Sequence, residues 1–202
     1  MDADAIEIRV LGCLIEKQRT TPDAYPLSLN ALRVACNQAT NRDPVVDYDE
    51  QTIRAALERL SRKGWTRLAS GAGSRAAKYR HLFDQVVGVP PAEISVLAVL
   101  MLRGAQTPGE LKQRTERLHA FASLEQVQEV LEGLVERELV ARLERRPGQK
   151  EERYTQLLGG EKPLEATIAV PAGADRVGAL EQRVERLETA LAELRDALHA
   201  RS

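Results

Sequence analysis

An internal repeat constrains the fold of this chain more than any single motif does. Two similar segments mark the start of each copy, Glu7-Ile8-Arg9-Val10-Leu11 and Glu93-Ile94-Ser95-Val96-Leu97. A second match pairs Ile53, Leu57, Leu60 and Trp65 with Val127, Leu131, Leu134 and Leu139. Each copy ends in an aromatic, strand-like run, Lys78-Tyr79-Arg80-His81-Leu82 and Arg153-Tyr154-Thr155-Gln156-Leu157. The repeat predicts two similar small units in tandem, of a shape that mostly binds nucleic acid or other proteins.

Composition narrows the class of protein. Only 3% of the 202 residues are aromatic, so we expect a core of aliphatic side chains, which suits helices. The N-terminus has no basic segment followed by an apolar one, and the longest apolar stretch, near residues 96–102, is too short to span a bilayer. Cys13 and Cys36 do not form a CxxC pair, which argues against a zinc site and a disulfide framework. These features predict a cytoplasmic protein with reduced thiols and no membrane partner.

The first copy is predicted to contain three helices followed by a two-stranded hairpin. The residues expected to cap the three helices are Asp4, with Glu7 completing a capping box, Ser28 and Asp49. Gly64 ends the third helix in a left-handed C-terminal position. We expect strands at 65–69 and 76–83 around a turn at 70–75, which is the outline of a winged helix.

The second copy repeats this order but lacks the proline-rich insertion that follows the first helix of copy one. Its helices are predicted at 92–103, from Thr107-Pro108 onward and at 123–138, with Thr107 as cap and Pro108 at the first helical position. Its strands are predicted at 139–143 and 151–158, around a basic turn. The two copies are joined by a Gly- and Pro-containing linker at 88–91.

A heptad pattern occupies the C-terminal part of the chain. Its a and d positions are all aliphatic: Val177, Leu180, Val184, Leu187, Leu191, Leu194 and Leu198. The pattern predicts a coiled-coil helix that makes a homodimer, and the alternative is an amphipathic helix packing on its own chain. The predicted fold is mostly α with small β-hairpins (α+β). It comprises a first winged-helix domain at 1–88, a second at 89–160, a linker at 161–174 and the coiled-coil helix at 175–202.

The sequence contains no recognisable catalytic or metal-binding arrangement. His81, His119 and His199 are scattered, and none shares a segment with another ligand at metal-binding spacing. Gly71-Ala72-Gly73 lies between two predicted strands, whereas a phosphate-binding loop leads from a strand into a helix. We therefore expect a protein that is not an enzyme and has no metal or cofactor.

Charge is distributed unevenly along the chain. The formal net charge is -1, but eight basic residues stand against three acidic ones between Asp49 and Arg80. A winged helix usually places its third helix in the DNA major groove, and its hairpin contacts phosphates. The alternative is a solvated helix with i,i+4 ion pairs around Glu58. The predicted DNA-binding residues of the first copy are Gln51, Arg54, Arg59, Arg62, Lys63, Arg75 and Lys78.

The third helix of the second copy has the opposite charge. It carries Glu125, Glu129, Glu132, Glu136 and Glu138 against Arg137 alone. Phosphate would repel such a helix. The turn of this copy is still basic, and its predicted DNA-binding residues are Arg145, Arg146 and Lys150. The second copy is therefore expected either to touch DNA through its turn only or to use its third helix for protein contacts.

Six longer segments carry a family resemblance. In the first copy they are Glu16-Lys17-Gln18, Tyr25-Pro26-Leu27-Ser28-Leu29-Asn30-Ala31-Leu32, Ala35-Cys36-Asn37-Gln38 and Asn41-Arg42-Asp43-Pro44-Val45. In the second copy they are Arg103-Gly104-Ala105-Gln106-Thr107-Pro108-Gly109-Glu110-Leu111 and Arg146-Pro147-Gly148-Gln149-Lys150-Glu151. They resemble the YceH-like family of uncharacterised bacterial proteins over about residues 7–160. The resemblance implies tandem winged-helix domains and supplies no catalytic residues.

Two polar segments around the second helix of copy one, at residues 25–30 and 37–44, have two interpretations. The structural one is that Ser28, Asn30, Asn37 and Asp43 cap helices and close turns. The functional one is that Asn37, Gln38, Asn41 and Arg42 contact nucleic acid or a ligand.

Two hypotheses for function follow. The leading one is a dimeric transcriptional regulator that binds double-stranded DNA through the third helix and wing of its first winged-helix domain. The alternative is a protein–protein interaction scaffold of winged-helix domains without DNA binding. Salt dependence separates the two, because binding through these cations weakens steeply as salt rises.

Overall fold

The computed structural model describes residues 2–69, 77–143, 145 and 151–159. In this part the chain is a mostly helical α+β protein with small antiparallel sheets. Its helices are α1 (Ala5–Thr20), α2 (Leu29–Cys36), α3 (Glu50–Arg62), α4 (Phe83–Val87), α5 (Pro91–Arg103), α6 (Pro108–Thr115) and α7 (Leu124–Glu136), with a short 3-10 turn at Pro22–Ala24. Its strands are β1 (Leu27–Ser28), β2 (Thr66–Leu68), β3 (Lys78–His81), β4 (Val140–Leu143) and β5 (Arg153–Gln156).

The predicted helix starts are confirmed by their capping hydrogen bonds. Asp4 and Glu7 form the expected capping box at α1, and Thr107 with Glu110 forms another at α6. The Ser28 hydroxyl oxygen accepts a hydrogen bond from the N–H of Ala31 at α2. These caps satisfy backbone donors that a helix start otherwise leaves unpaired, so the sequence predicts them reliably.

The first half contains two elements that the sequence did not predict. Strand β1 adds a third strand to the hairpin, in the order β1-β3-β2, with Leu27 opposite Tyr79. The prediction of a strand through residue 83 is wrong, because Phe83 begins α4 and is fully buried. Its ring packs edge-to-face on Trp65, with the ring centroids 5.0 Å apart.

The second half repeats this topology in a reduced form. Strands β4 and β5 pair antiparallel, with Val140 opposite Gln156. A single bridge replaces the third strand, because the backbones of Gln106 and Tyr154 exchange two hydrogen bonds of 3.0 and 2.8 Å. Tyr154 is the repeat partner of Tyr79, so this bridge lies where β1 meets β3 in the first half.

The exit from the third helix is built in the same way in both halves. The Trp65 N–H donates to the Leu60 carbonyl oxygen at 2.9 Å, and the Leu139 N–H donates to that of Leu134 at 3.0 Å. The residue before each donor has a positive φ, +74° at Gly64 and +55° at Glu138. Glycine adopts this left-handed conformation without strain, whereas glutamate does so only at a cost.

The buried residues form one core that spans both halves. The first 162 positions make one compact unit, within which α1 packs along α5. The two helices approach closely at Gly12, where a built Cβ atom would lie 3.0 Å from the side chain of Leu102. The predicted coiled-coil helix at 175–202 lies outside the described residues.

Candidate nucleic-acid interface

Helix α3 has one buried face and one exposed face. The buried residues are Ile53, Ala56, Leu57 and Leu60. The exposed residues of the opposite face are Gln51, Arg54, Glu58 and Arg62. Asp49 fixes the start of the helix, because its carboxylate accepts a 2.7 Å hydrogen bond from the Thr52 N–H. A polar, exposed helix face of this width can enter a DNA major groove.

Two cations of this face are not neutralised by the helix itself. Arg54 and Arg62 lie four residues before and after Glu58, yet neither forms an ion pair with it or with any other carboxylate in the described ranges. Arg62 Nε instead donates a long 3.4 Å hydrogen bond to the Glu58 backbone carbonyl oxygen. The i,i+4 ion pairs expected from the sequence around Glu58 are therefore absent from the described structure.

Two other predicted DNA contacts, Arg59 and Lys63, are bound to the start of α1. Arg59 forms an ion pair with Asp4 at 2.7 Å. Lys63 Nζ is 2.9 Å from both carboxylate oxygens of Glu7, a residue only 2% exposed, and also donates to the Asp2 carbonyl oxygen. These intramolecular partners compete with phosphate for both side chains.

The bridge made by Lys63 recurs in the second half. Arg137 forms an ion pair with Glu93 at 2.7 Å. The repeat aligns Arg137 with Lys63 and Glu93 with Glu7, so the same pair of positions joins the third helix to the first in each copy. This recurrence indicates that the bridge is a structural part of the unit, whatever the unit binds.

The three-stranded sheet adds cations beside α3. Arg67 on β2 lies directly opposite Arg80 on β3, and Lys78 lies two residues before Arg80 on the same face of that strand. Arg67 is exposed and Arg80 half-buried, and no ion pair to either is found in the described residues. Like charges directly opposite each other destabilise a sheet. An anion placed over this face would remove that repulsion.

The other face of the sheet is fixed by the buried His81. Its Nε2 atom donates to the Gln18 side-chain oxygen at 2.6 Å, and its backbone N–H donates to the Tyr25 hydroxyl oxygen at 2.8 Å. Burial lowers the pKa of His81 to about 4, with Arg80 and Arg19 acting in the same direction. Burial also raises the pKa of Tyr25 to about 12. Both side chains are therefore neutral near pH 7 and anchor β3 to α1.

The polar segment at 37–49 has a structural role at two of the four residues in question. The Arg42 side chain is fully buried, with its guanidinium 2.6 Å and 3.1 Å from the carboxylate oxygens of Glu16. Asn37 pairs with the backbone of Tyr48 through two hydrogen bonds of 2.8 and 2.9 Å. For Asn37 the structure thus confirms the structural interpretation, and Arg42 has a structural role that this interpretation did not name.

The second half offers a different surface. The exposed glutamates of α7 and of the residues after it are Glu125, Glu129, Glu132, Glu136 and Glu138. Near the second hairpin, Arg145 is exposed, whereas Arg142 lies 3.5 Å from the Glu152 carboxylate and above the ring of Tyr154. The described part of this half therefore presents an acidic helix face, with Arg145 exposed after β4.

The structure brings Gln51, Arg54 and Arg62 together on one exposed helix face. Lys78 and Arg145 are exposed on the two hairpins. The predicted contacts Arg75, Arg146 and Lys150 and the whole heptad lie outside the described residues. Arg67 and Arg80 were not among the predicted contacts, although the alternation of side chains along a strand places Arg80 on the face of Lys78.

Neither a cluster of metal ligands nor a membrane-spanning helix occurs in the described residues. In these ranges no group of three or more His, Cys, Asp or Glu side chains is arranged to hold a metal ion. None of the described helices is both long enough and apolar enough to cross a membrane.

Sequence comparisons place the chain among uncharacterised bacterial proteins. The model of the family described as "Protein of unknown function, DUF480" matches residues 3–149. A UPF0502 protein of Citrifermentans bemidjiense is 50% identical over 190 residues, covering 93% of this chain and 87% of the relative. UPF0502 proteins of Azoarcus sp. and Serratia proteamaculans are 47% and 44% identical, covering 97% and 98% of this chain and 91% and 95% of the relatives. These matches confirm that the relatives are uncharacterised bacterial proteins, under family names other than YceH.

Proposed function

This chain belongs to the UPF0502 (DUF480) family, and we propose that it is a DNA-binding protein that acts as a dimeric transcriptional regulator. In this proposal α3 and the adjoining sheet of the first half contact the duplex. The contacts come from Gln51, Arg54 and Arg62 on the helix and from Arg67, Lys78 and Arg80 on the hairpin strands. Arg75, which lies outside the described residues, is included on the sequence prediction alone.

The proposal includes a finer description of the fold. We propose that each half is a winged helix, with α1 to α3 and β1 to β3 forming one and α5 to α7 with β4 and β5 forming the other. Three helices followed by an antiparallel hairpin support this description in both halves. In folds of this type the third helix reads base edges while flanking elements hold phosphates.

One observation carries the proposal: the exposed cations of α3 and β2 have no carboxylate partner in the described structure. Arg54, Arg62 and Arg67 are all exposed, and Arg67 faces the half-buried Arg80 across the sheet. By contrast, Arg59 and Lys63 of the same region are paired with the carboxylates of Asp4 and Glu7. Unpaired guanidinium groups on one surface suit a chain of phosphates.

Dimerisation would multiply the affinity of this surface. Two linked copies bind one duplex with a high effective concentration for the second contact, provided that both surfaces reach it together. The heptad at residues 177–198 supports a dimer, and Leu187→Asp with Leu194→Asp is expected to give monomers in a sedimentation experiment. If the double variant remains a dimer, the interface lies elsewhere.

A protein-interaction scaffold is the second candidate function, and the acidic face of α7 favours it. The exposed glutamates of this helix would repel DNA and would attract a basic protein surface. The two functions are compatible if the first half binds DNA and the second half binds a protein partner.

The decisive experiment is to bind the purified protein to a mixed pool of duplex fragments at two salt concentrations and to sequence the retained DNA. Enrichment of a two-fold symmetric site supports a dimeric regulator, and weak, unselective retention reduces the proposal to general nucleic-acid binding. If no DNA is retained at low salt, the DNA-binding proposal is wrong and the protein-interaction scaffold is the favoured function.

Variants locate the contact surface on the protein. Arg54→Ala with Arg62→Ala is expected to weaken duplex binding by about tenfold or more and to lower the slope of log affinity against log salt by about two. The matched control is Glu129→Ala with Glu132→Ala on α7, which should leave the affinity unchanged or raise it. Equal affinity of the arginine variant and the parent protein would show that α3 is not the contact surface.

A further inference from the structure

A second basic site lies away from the exposed face of α3, in a cleft between the two halves. The cleft has a volume of about 590 Å³. Its walls are the C-terminal turns of α1 and α5, the segment 37–49 and helix α6. This volume falls in the range of small-molecule sites, about 300–1,000 Å³.

The lining of the cleft is strongly cationic. Four basic side chains, Lys17, Arg103, Arg114 and Arg117, stand against one carboxylate, Glu16. That carboxylate is already bound by Arg42 at 2.6 Å and lies 3.4 Å from Lys17. The charge of the cleft is therefore positive, and its single acid is occupied.

The arginines of the cleft have few acidic partners of their own. Arg114 forms a 3.5 Å ion pair with Glu110, while Arg103 donates a hydrogen bond to the Asn41 side-chain oxygen. Arg117 is exposed, and no ion pair to it is found in the described part of the chain. The pKa of Arg103 is lowered, first by burial and then by the charges of Arg114 and Arg42. Guanidinium groups crowded in this way gain stability when an anion enters between them.

The remaining walls suit a small organic molecule with an anionic end. The polar part of the lining also includes Thr20, Thr40 and Gln38, and the apolar part comes from Val99, Leu102 and Leu118. A few polar groups next to apolar side chains are typical of ligand sites. Arginine in particular recognises phosphate groups through paired N–H donors.

We propose that this cleft binds a small phosphorylated molecule, whose phosphate groups are held by Arg103, Arg114 and Arg117. The site is distinct from the proposed DNA surface, because none of its lining residues belongs to α3 or to the hairpin strands. Since the cleft is built from both halves, a bound ligand bridges α1 and α5 and stabilises their packing.

The test uses pyrophosphate as the probe and the full chain. Melting temperature and isothermal titration are measured with pyrophosphate and with chloride at equal ionic strength. We expect saturable binding and a rise in melting temperature of several degrees with pyrophosphate alone, because a ligand that binds only the folded state stabilises it. Arg114→Ala with Arg117→Ala should weaken the binding by about tenfold or more.

The matched control removes two exposed arginines elsewhere. Arg54→Ala with Arg62→Ala should leave pyrophosphate binding unchanged, while Arg114→Ala with Arg117→Ala should leave duplex binding unchanged. Circular dichroism confirms that each variant is folded. The proposal is overturned if pyrophosphate does not bind, or if it binds the Arg114 and Arg117 variant as tightly as the parent protein. Either result leaves the DNA proposal intact.

Discussion

The two halves share their framework and differ in their surfaces. Helices α3 and α7 occupy equivalent positions, follow equivalent caps and end in the same hydrogen-bonded exit. Both are tied to the first helix of their unit by an ion pair, through Lys63 in one and Arg137 in the other. Yet the exposed face of α3 carries unpaired arginines, whereas that of α7 carries glutamates. Ion pairs shared by both copies belong to the fold, and charges found in one copy alone are the better candidates for function.

The interiors of the two halves also differ, and this difference is structural. Helix α1 buries Arg9, which donates to the carbonyl oxygens of Pro44 and Cys36 at 2.7 and 3.3 Å, where α5 has the small residue Ser95. The reason is the segment 37–49, which is longer than its counterpart at 116–123 and needs partners for its backbone and side chains. Arg9 and Arg42 supply them.

The largest expected effect on stability comes from replacing the buried Arg42. This substitution tests whether the segment 37–49 is stabilised by the ion pair between Arg42 and Glu16. Arg42→Ala removes a fully buried guanidinium and leaves the half-buried Glu16 with only its 3.4 Å ion pair to Lys17. Breaking a buried ion pair costs up to about 3–5 kcal/mol. We expect a loss of this size in the free energy of unfolding, measured by urea denaturation. Arg33→Ala is the control, because the one side-chain hydrogen bond of Arg33 found among the described residues is to the exposed Asn30, and its loss should cost less than about 0.5 kcal/mol. Equal stability of the two variants would mean that the segment is held by other contacts.

The next largest effect is on the pH dependence of stability. It is tested by replacing His81 with glutamine, the residue that the repeat aligns with it at Gln156. The folded protein holds the pKa of His81 at about 4, below its ordinary value of 6.5. Between pH 4 and pH 6.5, His81 is largely protonated in the unfolded chain and largely neutral in the folded chain. The stability gained from neutral His81 is therefore present above about pH 6.5 and is lost progressively as the pH falls to about 4.

His81→Gln removes this dependence by giving the first half the residue of the second. As the pH falls from 7 to 4, we expect the parent protein to lose up to about 3 kcal/mol more unfolding free energy than the His81→Gln variant loses. Urea denaturation at several pH values measures it. Glu16, whose pKa is lowered mainly by its hydrogen bond to Arg42 against the effect of burial, loses its contribution in acid too, but equally in both proteins. Parallel pH profiles would show that His81 titrates normally.

Local signals in the sequence were sufficient to predict most of the fold. Caps such as Asp4 and Thr107, the apolar stripe of α3 and the positive φ of Gly64 all depend on residues close together in the chain. The missed elements depend on distant ones. Strand β1 forms because Leu27 pairs with β3, and α4 is held in place because the Phe83 ring packs on Trp65.

The candidate site was predictable only in part, for the same reason. Periodicity alone places Gln51, Arg54 and Arg62 on the exposed face of α3, and the structure agrees. It does not reveal that Arg59 and Lys63 form ion pairs with carboxylates at the start of α1. Nor does it reveal the cleft, because Arg103 and Arg114 meet Lys17 only through the packing of the two halves.

A smaller effect tests whether the two halves share one core. Gly12→Val would place methyl groups where a Cβ atom already lies 3.0 Å from Leu102 and 3.1 Å from Met101. Overpacking of this kind typically costs about 1–3 kcal/mol, and the slightly better helix propensity of valine than of glycine offsets little of that cost. The control is Gly133→Ala in α7, where no atom lies within 4 Å of the added Cβ and a gain of up to about 1 kcal/mol is expected. Urea denaturation compares the two, and an unaffected Gly12→Val variant would show that α1 and α5 separate readily.

The smallest effect is expected at the exits of α3 and α7, where the two halves use different residues for one conformation. Both Gly64 and Glu138 have positive φ, and the left-handed region costs a residue with a Cβ atom about 1 kcal/mol. Glu138→Gly should therefore stabilise the protein by up to about 1 kcal/mol, and Gly64→Glu should destabilise it by a similar amount. At Gly64 no atom lies within 4 Å of an added Cβ, so the backbone conformation alone sets the sign of the Gly64→Glu effect. Opposite signs in thermal denaturation would establish the two exits as equivalent, and equal signs would mean that the halves differ in framework as well as in surface.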